Sequence, residues 1–187
     1  EETLSFICEE TSKLFNVQRV AITVFPDPNN YEKFIMKKEY ISSEKIKKYP
    51  LNEDASKTAA YWGLKLLREE NILIFDSIET SDTPDYFKRT YEIMGVKSSM
   101  GSAIRKGTDV WGTLVISECE KFRQWTDEEK LLLDTISNQV YIAVNQSELY
   151  STTKKQAERE EILRKIIATV RSSLDLKEVK KNITQEI

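Results

Sequence analysis

Histidine is absent from all 187 residues. That removes the commonest general base and the commonest transition-metal ligand. Ser98, Ser99, Ser102 and Ser117 therefore have no imidazole to activate them as nucleophiles. There are two cysteines, Cys8 and Cys119, far apart in sequence. They give neither a metal spacing nor a disulfide framework, and a reducing cytoplasm is the simple reading. The five glycines are dispersed, so no glycine-rich loop is set to cradle a phosphate. No apolar run is long enough to span a bilayer, and nothing at the start reads as a signal peptide. The chain is read as a piece of a longer cytoplasmic protein, with no membrane segment within it. Neither sign of charge dominates: 28 Lys and Arg stand against 31 Asp and Glu, a net charge of −3. A nucleic-acid partner, which needs a basic face, is not expected.

What remains suffices for one folded domain and some extra helix, not for two full domains. Leu4, Ile7, Cys8, Thr11, Leu14 and Phe15 recur at helical spacing. Cys8 reads there as a small apolar group rather than a reactive thiol. Residues 20–25 form an apolar strand, ended by the turn signal Pro26-Asp27-Pro28-Asn29-Asn30. Residues 34–41 follow as its hairpin-like partner, and 42–49 as a surface loop or short helix. Residues 55–70 predict a helix, with Ala59, Ala60, Trp62, Leu64, Leu66 and Leu67 on its apolar side. Residues 72–75 are a short buried strand, and 85–94 a short helix or irregular segment. Residues 96–104 and 110–117 pair around 105–109, with glycine in the turn. The order is that of an α+β fold, one antiparallel sheet with helices on its faces.

The most informative stretch is 110–150. Its strand leads through Glu118-Cys119-Glu120 to Arg123-Gln124-Trp125, and then to a long helix. Glu118, Cys119 and Glu120 are read as a solvated loop start rather than three metal ligands, because neighbours point different ways. Thr126 and Glu129 are spaced as a capping box, and Asp127, Glu128 and Glu129 face the positive end of the helix dipole. Leu132, Leu133, Ile136, Val140, Ala143, Val144 and Leu149 carry the helical apolar pattern.

Arg123-Gln124-Trp125-Thr126-Asp127-Glu128-Glu129, followed by Asn138-Gln139-Val140-Tyr141-Ile142-Ala143-Val144, closely resembles the end of GAF domains. The likeness is strongest to those of cyanobacterial phytochrome-like proteins and multi-sensor histidine kinases, and it covers nearly all of 1–150. The Trp111-Gly112 pair is common across that family. The resemblance implies a GAF-like central sheet with a long C-terminal exit helix. It also implies a ligand pocket between the sheet and the 85–94 segment. Phe87, Tyr91, Met94, Met100 and Trp111 are the large residues expected there; they line a ligand or fill the space as ordinary core. Photosensory members bind a linear tetrapyrrole covalently through a cysteine in this region, usually followed by histidine. The matching positions here are near Tyr86 and Phe87, which cannot form a thioether. No cofactor is expected, covalent bilin least of all, and no metal.

Past Tyr150, residues 151–161 are polar. Ile162, Leu163, Ile166, Ile167 and Val170 then form a narrow seam, which suits pairing with a second copy as in a coiled coil, or folding back on the domain. Residues 179–186 can be laid on residues 3–10, with Ile183 on Ile7 and Glu186 on Glu10. The expected organisation is a GAF domain over 1–150, a helical linker over 151–173, and the truncated start of a second GAF-like domain over 174–187. The expected role is that of a regulatory, non-enzymatic sensor domain in a bacterial two-component signalling protein. It would bind a small molecule and signal through the exit helix to an output domain of the same chain, as a homodimer. The alternatives are a ligand-free spacer and dimeriser, and a non-covalent tetrapyrrole photosensor.

Overall fold

The computed structural model describes residues 2–27, 29–68 and 71–185; the side chains of 67–68, 147–148, 151 and 172–185 lie outside the described set. The chain divides into two compact units, Glu1–Val144 and Asn145–Ile187. The first runs α1 (Glu2–Phe15), β1 (Arg19–Val24), β2 (Ile35–Ile41), α2 (Glu53–Arg68), β3 (Ile72–Phe75), α3 (Asp85–Met94), β4 (Ser98–Lys106) and β5 (Asp109–Glu118). α4 (Asp127–Gln185) begins in this unit. The five strands form one antiparallel sheet in the order β2-β1-β5-β4-β3. This is the expected α+β architecture. Segment 42–49 is a loop without helix.

Strand alternation separates two cores. On one face, Val20, Ile22, Met100, Ile104, Leu114 and Ile116 pack with Cys8 and Phe15 of α1 and with Leu133 and Val140 of α4. On the other, α2 and α3 cover the sheet with Trp62, Leu66, Phe87, Tyr91 and Met94. Burial of Cys8 in the first core pushes its thiol up to about 12, so it serves as the apolar group its place in the stripe suggested.

Two β-bulges interrupt the alternation. Ile104 faces Gly112 and Arg105 faces Val110, so the register skips Trp111. Ile22 faces Lys38 and Thr23 faces Met36, so it skips Lys37. An extra residue reverses which way the following side chains point. Val110 thereby joins the α2–α3 core, and Trp111 packs with the α1–α4 core, edge-on to Tyr141 with ring centroids 5.5 Å apart. Gly112 sits beside the bulge because a Cβ there would lie 2.4 Å from the Thr23 carbonyl.

The capping box closes α4 as its sequence predicts. The Thr126 N–H donates to Glu129 at 2.9 Å, and the Glu129 N–H donates to the Thr126 hydroxyl at 3.2 Å. The inward face of α4 follows Leu133, Ser137 and Val140. Leu132 and Leu149, two members of the helical apolar pattern, are exposed at 37% and 69%. Leu132 lies one residue, about 100°, off the buried line.

In the second unit the chain is helical through Gln185. Ile162, Leu163, Ile166, Ile167 and Val170 are each 50–58% exposed. Segment 174–185 is helical; its side chains and residues 186–187, where part of the overlay on the first helix falls, lie outside the described set. No helix among the described residues is long and apolar enough to cross a membrane.

Candidate functional site

Strand alternation leaves an unusual row of side chains beneath α2 and α3. β1 turns Arg19, Ala21 and Thr23 to that face, and β5 turns Thr113, Val115 and Ser117. The residues between them, Val20, Ile22, Leu114 and Ile116, are apolar and face the other way. Small and polar groups in the middle of a sheet leave space that large ones would fill. Met36, Tyr49, Ala59, Trp62, Tyr91 and Met94 complete the walls of a cavity of about 30 Å³. That is room for one or two waters.

Aromatic packing limits the space. Phe87 stacks on Tyr91 at 4.6 Å and meets Tyr61, Trp62 and Phe75. The Trp62 indole N–H donates to the Tyr91 hydroxyl at 2.8 Å, which places both rings. Burial raises Tyr91 to about 12, opposed by hydrogen bonds from Ser99 and Trp62. Gly101 is needed beneath Trp62, because a Cβ there would lie 2.6 Å from the ring.

Arg19 carries the charge of the site. Its side chain is 3% exposed and pairs with Glu39, 12% exposed, at 2.7 Å. It also donates to the Met94 sulfur and to the Lys47 carbonyl. Glu39 accepts from the Tyr49 N–H, and the Tyr49 hydroxyl donates to the Ala55 carbonyl at 2.8 Å. The pair thus fastens the 42–52 loop over the cavity. Burial raises the Tyr49 hydroxyl well above its ordinary value.

Of the five expected site residues, Tyr91 and Met94 line the cavity. Phe87 stands behind them in the same core. Met100 and Trp111 belong to the opposite face, and their expected place in the pocket is corrected. Met100 is turned away by simple alternation in β4, Trp111 by the bulge. Sequence reasoning missed Arg19, Glu39, Tyr49 and Trp62. A signal for Arg19 was present: the spacing Arg19-Ala21-Thr23 marks a face unlike Val20-Ile22-Val24.

Cys8 lies on the far side of the sheet. Cys119 packs against the α2–α3 core without lining the cavity. Burial raises its thiol to about 11, and the nearby Arg19 guanidinium opposes the shift.

A profile of the GAF domain family matches residues 1–144. The circadian input-output histidine kinase CikA of Synechocystis sp. is 31% identical over 85 residues, which is 42% of this chain and 11% of that protein. The chain therefore spans a small fraction of that relative's length. Among solved structures, the photoproduct state of GAF3 from Slr1393 of Synechocystis sp. PCC6803 superimposes with a TM-score of 0.68 at 19% identity, covering 81% of this chain and 97% of that one. The blue-light absorbing form of the Thermosynechococcus elongatus PixJ GAF-domain gives 0.64 at 14% identity, covering 81% and 88%. At these identities the likeness is one of fold.

Proposed function

The chain belongs to the GAF domain family, and on that premise we propose that it is the sensing segment of a bacterial multi-domain signalling protein of the histidine-kinase kind. Small-molecule binding in the cavity shifts the helix that follows, and that helix carries the change to an output domain of the same chain. The single observation behind this is the cavity itself: a charged, hydrogen-bonded group held in a small space between the sheet and the covering helices. The curated relative is a histidine kinase, which supports the setting. The segment is proposed as non-catalytic and cytoplasmic. The exposed seam from Ile162 to Val170 pairs two copies, and the chain past residue 174 opens a second domain of similar type.

One observation favours a second reading. A cavity of about 30 Å³ is small for a sensor of metabolites, and the aromatic rings around it pack as core. On that reading the domain is a ligand-free spacer and dimeriser. A tetrapyrrole is much larger than this cavity, and no cofactor is proposed, covalent bilin least of all. Two measurements on the purified chain separate the readings. Melting against a panel of small metabolites should show stabilisation by at least one; a binder of the native state stabilises in proportion to its concentration over its Kd. Visible absorbance after coexpression with a bilin-producing pathway would point instead to a photosensor. Neither effect would leave the spacer.

A further inference from the structure

Arg19 is where the cavity departs from an ordinary packed core. One terminal nitrogen donates to Glu39 and to the Met94 sulfur, and the other to the Lys47 carbonyl. Of the two N–H groups that remain, the one on Nε is buried, and that nitrogen has no hydrogen-bond partner among the described residues. A buried donor left without an acceptor is costly, and folded proteins hold few of them. The charge of the guanidinium is already balanced by Glu39. The missing partner is therefore an acceptor that brings no charge of its own. A carboxylate would meet Glu39 at the same guanidinium, and an ammonium group would meet Arg19. The surrounding walls of Ala21, Met36, Ala59, Met94 and Val115 suit an apolar body.

We propose that the cavity takes a neutral, largely apolar molecule whose carbonyl-type oxygen accepts from the Arg19 Nε–H. This rests on the small-molecule reading above and names the chemistry of that molecule. A guest larger than a water or two enters as the 42–52 loop yields. That loop has no helix or strand of its own and is tied down through Arg19, Glu39 and the Tyr49 hydroxyl.

The three methionines make a direct test. Met36 and Met94 line the cavity, and Met100 lies on the opposite face of the sheet as an internal control. The full chain is labelled at the methionine methyls and the arginine Nε, with Met36→Leu and Met94→Leu assigning the signals. It is titrated with cyclopentanone, and separately with cyclopentanecarboxylate and cyclopentylammonium. The expected result is that cyclopentanone moves the Met36 and Met94 methyls and the Arg19 Nε–H signal, and leaves Met100 in place. The charged rings move none of them. Methyl shifts without an Arg19 shift would overturn the anchor while leaving a small-molecule pocket standing. An Arg19 shift with the carboxylate and not with the ketone would overturn the neutral class. Silence from all three probes overturns the inference, and the metabolite melting panel then decides separately whether the domain senses a molecule.

Discussion

Arg19 and Glu39 reach each other diagonally across neighbouring strands, Nη1 to Oε1 at 2.7 Å, where Ala21 is the residue directly opposite Glu39. Both side chains are largely withdrawn from water. Removing one member of such a pair strands the other charge in the interior. Glu39→Ala should therefore destabilise the chain by about 3–5 kcal/mol. The double change Arg19→Met with Glu39→Gln should recover most of that loss, since it strands no charge. Urea denaturation measures both; a single change as harmless as a surface substitution would show that the pair is solvated in solution.

Two tryptophans should behave differently. Trp62 is 4% exposed and holds the Tyr91 hydroxyl, so Trp62→Ala should cost about 3–5 kcal/mol. Trp111 is only half-buried and leans on Tyr141, so Trp111→Ala should cost about 2 kcal/mol. Equal losses in denaturant would place Trp111 deeper than its bulge allows.

Stability should be nearly flat between about pH 5.5 and pH 8, because no histidine is present to titrate. It should fall on the alkaline side. Cys8 has its thiol raised by burial from 9.0 to about 12. A raised value in the folded state means the contribution is fully present below the unfolded value and is lost as the pH rises through the folded one. Cys8→Ala should therefore lose less stability than the parent between about pH 8 and pH 10.5. The same loss in both proteins would count against a deeply buried thiol.

Pairing through the second unit predicts a change of mass. Ile166→Glu with Ile167→Glu puts charge on the exposed seam and should give a folded monomer by sedimentation. A parent chain that is already monomeric at high concentration would dispose of the pairing.

The absence of covalent bilin is tested on a denaturing gel. Coexpression with a bilin-producing pathway should yield no band with zinc-enhanced fluorescence, since neither cysteine lines the cavity. A band lost on Cys119→Ala would show that this thiol reaches a bound tetrapyrrole.

Helices and strands were legible because their periodicities run through whole segments. β3 and α3 fall at residues 72–75 and 85–94, as the pattern of apolar residues and turn signals places them. The capping box of α4 was legible because two residues at fixed spacing make it. The site was less so. Arg19 and Glu39 lie on different strands, and their meeting depends on register, which local pattern does not state. Size and hydrophobicity suggested Met100 and Trp111 for the pocket, but which face a residue takes depends on counting through bulges. Tyr49 was read on the surface because its loop is charged, whereas its ring packs against the α2–α3 core.

Those two bulges also bear on how the domain can change length. Each is a half-step in a pattern that repeats every two residues, so the two ends of β5 are out of phase with one another. Deleting Trp111 would remove the bulge and its ring, while Val110, still opposite Arg105, would keep its place on the α2–α3 side. A single insertion or loss elsewhere in the β4–β5 ladder would instead turn every side chain beyond it to the other face. The hairpin should therefore tolerate the loss of one residue at the bulge and resist single changes elsewhere, and the same should hold at Lys37 in β2.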